Sequence, residues 1–218
     1  MTQRDYILRI AEQVGRVLAR VLYDRQQEDY QGAHEFIEEQ FRQMLGMGGG
    51  FVHSAPEETL LAMLTSMGVI DTEKCWLLAT LLKVDGEVYE AQEDENNSYY
   101  SYLKAINLFL AVLTSDSELH RLDPVPEVEG LLYKLSNYDL PVRTKALLFH
   151  YFEQTGSFAN AENTLYELLD ADPEDREILE SGRAFYRRLL RQSDAALAAG
   201  SLTRDEVEDG LMKLMRMG

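Results

Sequence analysis

Gly156, Phe158, Ala161, Leu165 and Pro173 stand at relative offsets of 0, 2, 5, 9 and 17. Ala161 and Leu165, four residues apart, share one face of a helix. Gly156 permits the sharp reversal that precedes that helix, and Pro173, which has no amide hydrogen to donate, ends it. The spacing therefore predicts an antiparallel pair, with helices over 142–155 and 158–171 joined by a tight turn. Such pairs present surfaces rather than reaction chemistry.

The rest of the chain is compatible with the same architecture. All five prolines (56, 124, 126, 141 and 173) fall at or outside the ends of apolar-periodic segments, where a missing amide hydrogen costs little. Ile7, Ile10, Ala11, Val14, Leu18, Val21 and Leu22 repeat with a period of 3.6 and predict an amphipathic helix from Gln3 to Tyr23. Ala33, Ile37, Phe41 and Met44 predict another from Tyr30 to Leu45. The glycine-rich run Gly46 to Gly50 reads as a hinge, which divides the chain into an N-terminal hairpin (1–50) and a helical domain (51–218).

Ser54 and Glu57 have capping-box spacing and open a helix expected to reach Met67, with Gly68 as its left-handed cap. Asp71 or Thr72 caps a helix running to Gln92. A solvated turn, Glu93 to Asn97, leads to a helix over 98–114, and a polar connection runs from Ser115 to Pro124. Helices follow at 126–138 and 174–198, the latter ended by Gly200. Thr203 and Glu206 form a second capping box and open the terminal helix.

Laid on a 34-residue frame from Val142, the chain resembles a tetratricopeptide repeat. Leu148 and Phe152 occupy large apolar places of the first helix, Gly156 and Phe158 the turn, Ala161 the close-approach position and Pro173 the terminator. Lys145 stands where the family prefers a large aromatic residue, and Phe149 where it prefers a small one. A second frame, from Ala79, matches at Leu82, Gly86, Tyr89, Ser98, Tyr102 and Ala105. The repeat-like units are thus 79–112 and 142–175. Their starts lie 63 residues apart, which is not a multiple of the repeat, so the array is irregular.

The whole chain is also similar to an uncharacterised bacterial family of tetratricopeptide-like proteins. Arg4-Asp5-Tyr6-Ile7 with Glu12-Gln13, Phe185-Tyr186 with Ser193-Asp194, and the stretch from Gly200 to Val207 carry that likeness. The resemblance implies an all-α fold: an irregular right-handed α-α superhelix of helical hairpins with capping helices at both ends. It implies no established activity.

Composition narrows the partners. With 38 acidic against 21 basic residues in 218, the net charge of -17 repels nucleic acid and anionic membrane surfaces. No apolar run approaches the ~20 residues of a membrane span, and the charged N-terminus lacks the core of a signal peptide. The expectation is a cytoplasmic protein. Cys75, the only cysteine, excludes an intrachain disulfide. Placed near a helix start, its thiol is either activated by the dipole or buried and inert, and burial is the favoured reading.

The four histidines, His34, His53, His120 and His150, lie on separate segments without the spacing of a zinc hydrolase, and read as solvated or core-edge side chains. The run from Glu93 to Asn97 lacks the glycine and glutamate of a calcium loop, and Ser101-x-x-Lys104 has no companion motifs. No cofactor, metal or catalytic residue is expected.

By resemblance, the concave groove takes Lys83, Glu87 and Glu90 from the first unit and Arg143, Ala146, His150, Glu153 and Gln154 from the second. It is mixed and partly acidic. Arg183, Arg187 and Arg191 recur every four residues as a basic stripe. The acidic cluster Asp85, Glu87, Glu90, Glu93, Asp94 and Glu95 is a candidate partner for it.

The leading expectation is a non-catalytic scaffold that binds a protein or peptide in the groove. A homodimer is the second reading, joined through Leu211, Leu214 and Met215 of the terminal helix. The third is a small-molecule sensor or enzyme with a pocket lined by tyrosines such as Tyr99, Tyr100, Tyr102, Tyr151 and Tyr186.

Overall fold

In the computed structural model, which describes residues 3–115 and 125–217, the chain is mostly helical and forms two compact units. The first contains α1 (Gln3–Gln26), α2 (Tyr30–Leu45), α3 (Gly49–Ser54), α4 (Glu57–Met63), a hairpin of β1 (Thr65–Ser66) and β2 (Val69–Ile70), α5 (Thr72–Ala91), α6 (Glu95–Ser115) and α7 (Val125–Lys134). The second contains α8 (Val142–Gln154), α9 (Phe158–Ala171), α10 (Arg176–Leu189), α11 (Asp194–Ala199) and α12 (Arg204–Arg216). The unit boundary lies at Tyr138, and the N-terminal hairpin falls inside the first unit, where α2 packs on α5.

The first unit is organised around the antiparallel pair α5 and α6. Every residue of α6 from Ser101 to Leu110 is buried, because other helices surround it and it has no solvent face to fill with charge. Gly86 marks the closest approach: a Cβ there would stand 2.7 Å from Cδ1 of Tyr102. Asp71 caps α5 by accepting from the Lys74 amide, and Asp94 accepts from the Asn97 amide at the start of α6. Asp94 therefore starts α6 three residues before the expected Ser98.

Four other expectations are corrected in this unit. Among the residues of α1 whose side chains are described, Val17, Val21 and Asp24 are buried, while Leu18 and Leu22 are exposed. The glycine run is a pair of helix ends rather than an open linker. Gly46 closes α2 at φ +69°, with the Met47 amide reaching back to the Phe41 carbonyl, and Gly49 opens α3 where a Cβ would collide with Glu38.

Ser54 forms no capping box, because its hydroxyl is occupied in donating to the Gly50 carbonyl. Pro56 stands at the N-cap of α4 instead. That helix stops at Met63, and Met67 (φ +51°) with Gly68 (φ +79°) makes the tight turn of the β-hairpin rather than a helix cap.

The second unit begins with the predicted hairpin. Gly156 turns at φ +76°, Ala161 is fully buried, and α9 ends at Ala171, before Pro173. Phe149 meets Phe185 of α10 edge to face at 5.3 Å. Lys145 is paired with Asp139 and Glu167. The helix expected over 174–198 is broken after Leu189. Ser193 caps α11 through the Ala196 amide, and Arg204 holds the break by donating to the carbonyls of Leu190 and Gln192 and to the carboxylate of Asp194. The Thr203–Glu206 capping box forms as expected. The polar connection to Pro124, and His120 within it, lie outside the described residues.

Candidate functional site

Asp85 sits midway along α5 in a stretch where nearly every neighbour is apolar and buried. It is itself 1% exposed. Burying a carboxylate is costly unless it finds charged or hydrogen-bonding partners, and two histidines from other helices supply them. His34 of α2 places Nδ1 2.8 Å from Asp85 Oδ1, and His53 of α3 places Nε2 3.5 Å from Oδ2.

The other ring nitrogen of His34 faces the Gln92 side-chain oxygen at 3.4 Å. Both partners are acceptors, so the doubly protonated ring satisfies both. Burial lowers the His34 pKa, but the hydrogen bond and charge of Asp85, with smaller help from Gln92 and Glu38, raise it above the ordinary histidine value. Tyr89 stacks over His34 at 4.3 Å, and burial beside Asp85 lifts its hydroxyl to about 12. The arrangement is an electrostatic clasp between α2, α3 and α5. Asp85 Oδ2 is buried and makes no hydrogen bond.

Two clefts flank this clasp in the same unit. One, of about 370 Å³, is lined by His53, Glu57, Tyr100, Ser101 and Lys104 among others. The second, of about 560 Å³, is lined by Tyr99, Tyr102 and Tyr138 with Glu90, Glu93 and Lys134. Of the tyrosines expected in one pocket, Tyr99 and Tyr102 share the second cleft and Tyr100 belongs to the first. Tyr151 and Tyr186 are core residues of the other unit.

The groove residues of the first unit are engaged internally. Lys83 pairs with Glu127 and Lys134 with Glu90, which joins α5 to α7, while Arg25 of α1 pairs with Glu87. In the second unit Arg143 and His150 are exposed on α8 and Ala146 is half-buried between them. Gln154 is exposed at the end of that helix, and Glu153 makes a two-pronged ion pair with Arg188 at 2.6 and 2.8 Å.

The three arginines of the basic stripe differ in their surroundings. Arg183 donates twice to the Leu214 carbonyl and pairs with Glu180, Arg187 is exposed, and Arg191 lies beyond the end of α10. The partners of Asp85, Glu87 and Glu90 are instead His34, His53, Arg25, Lys134 and Tyr102. Leu214 is fully buried and Leu211 packs on the same core, so of the three apolar residues proposed for self-association only Met215 is exposed. Cys75 is buried against the Leu108 carbonyl, and burial pushes its thiol up to about 12.

Sequence reasoning missed the clasp because 51 residues separate His34 from Asp85. The one signal was an aspartate in the largely apolar stretch from Leu77 to Val88, which also holds Thr80, Lys83 and Glu87. Among the described residues no group of three His, Cys, Asp or Glu side chains is placed to hold a metal ion, and no helix is long and apolar enough to cross a membrane.

The fold defines a mostly helical protein. The chain belongs to a family of unknown function, DUF6483, whose sequence profile matches residues 1–218. No curated protein and no solved structure matches it.

Proposed function

We propose that the protein is a non-catalytic, cytoplasmic helical-repeat scaffold of tetratricopeptide type, an irregular right-handed superhelix that docks a helix or extended segment of a partner protein. The stripe on α8 carries this reading. Arg143, Ala146 and His150 follow one another at helical spacing on the first helix of the hairpin that matches the repeat best, with Arg143 and His150 exposed. Lys83, Glu87 and Glu90 on the α5 face make ion pairs within the first unit.

A photo-crosslinking amino acid in place of His150 tests it. Capture of a discrete polypeptide, abolished by Ala146→Glu, supports the reading, and a blank gel from native lysate at both His150 and Arg143 counts against it. The self-association alternative now rests on Met212 and Met215, exposed on one side of α12. Light scattering that gives a monomer across the accessible concentration range removes it.

A further inference from the structure

Two groups of opposite charge reach the cleft between the α3–α4 junction and α6 without meeting each other. Lys104 of α6 is 8% exposed and donates to the carbonyls of Val52 (3.0 Å) and His53 in the last turn of α3. An ammonium has three donors, so one remains. Glu57, in the first turn of α4, accepts from the Asn107 amide through Oε1 at 3.0 Å, which leaves Oε2 for another donor. Beside it Asn107 Oδ1 is buried without a partner. Burial lowers the Lys104 pKa and the Glu57 charge opposes the fall, so the two groups feel each other through space.

Partly desolvated charges of opposite sign are costly to hold apart and favourable to bridge. A ligand that bridges them must carry both signs. An anion gains from Lys104 but meets Glu57 and the field of a protein with net charge -17. A cation leaves the lysine donor unspent. A molecule that is neutral overall, with a carboxylate at one end and an ammonium at the other, satisfies both groups. The volume of about 370 Å³ is that of a small-molecule site, and Ser101 and Tyr100 add hydroxyls for further polar groups.

We infer that this cleft binds a small zwitterion of the free α-amino acid class, with the ligand carboxylate on Lys104 and the ligand ammonium on Glu57. The site is independent of the scaffold reading, since it lies wholly in the first unit. The protein would then couple occupancy of the cleft to the position of α3, whose terminal carbonyls Lys104 also holds.

The test is a thermal-shift screen of the full chain with the twenty free amino acids, followed by calorimetry, with n-butylamine and butyrate as single-charge probes. At least one amino acid at about 10 mM raises the melting temperature, as linkage requires of a ligand that binds only the folded state, while the amine and the acid do not. Because Lys104 supports α3, the decisive variant is Glu57→Gln, which keeps an oxygen for Asn107 but loses the charge. It weakens the binding by about tenfold or more, whereas Glu129→Gln on the exposed side of α7 leaves it unchanged. No shift with any amino acid, an equal shift with either single-charge probe, or unchanged affinity in Glu57→Gln overturns the assignment.

Discussion

The imidazole of His34 and the carboxylate of Asp85 meet at 2.8 Å across 51 residues of sequence, and the carboxylate is almost wholly removed from solvent. The clasp fastens α2 to α5 and so holds the N-terminal helices on the central hairpin.

Its pH dependence follows from the raised His34 pKa. The pair's stabilisation is fully present below the unfolded value of about 6.5 and is lost as pH rises through the higher folded value. Urea midpoints measured from about pH 6 upward should fall as the His34 ring loses its proton. His34→Gln should remove this slope, and a wild-type slope that survives the substitution would assign it to another group.

Gly86 and Gly15 should respond oppositely to alanine. Gly86→Ala drives a methyl against the Tyr102 ring on the crowded face between α5 and α6 and should cost about 1 to 3 kcal/mol. Gly15 lies exposed in α1 with open space around its Cα, so Gly15→Ala should stabilise by about 0.5 to 1 kcal/mol through helix propensity. Chemical denaturation of the two variants checks the difference in sign.

Arg204→Ala should destabilise the second unit by about 1 to 3 kcal/mol, because the carbonyls of Leu190 and Gln192 lose a charged donor. Arg204→Lys should not restore it, since a single ammonium cannot span two carbonyls and the Asp194 carboxylate as the guanidinium does. Hydrogen exchange at the amides of α11 provides a local readout.

The Cys75 thiol should be inert to disulfide reagents at pH 8 in the folded protein. With its pKa near 12, the thiolate is on the order of one part in ten thousand there, and the side chain is buried. Labelling should follow the unfolding rate and become complete in denaturant. Rapid labelling of the native chain would contradict the burial.

Much of the local structure was legible in the sequence. The hairpin of α8 and α9 follows from Gly156, Ala161 and Pro173, and the caps at Asp71 and Thr203 from single side chains next to the amides that they bind. The failures share a cause. Ser54 has the letters of a cap, but its hydroxyl turned back to Gly50. The segment after Leu189 has the letters of a continuous helix, but Ser193 and the guanidinium of Arg204 stabilise a break. The Met67–Gly68 turn formed because a two-residue hairpin, closed by the Asp71 amide on the Leu64 carbonyl, competed with one more turn of α4.

The candidate sites were legible only in part. Exposure of Arg143 and His150 follows from the hairpin register, whereas the clasp at Asp85 and the meeting of Lys104 with the end of α3 depend on helices that are distant in sequence. By itself the sequence determined that this chain is helical and where most helices begin and end, because propensity, caps and turns act between residues a few positions apart. Only the tertiary structure decided which charges meet and which face a cleft unpaired, because those energies depend on burial and on partners that packing alone brings within reach.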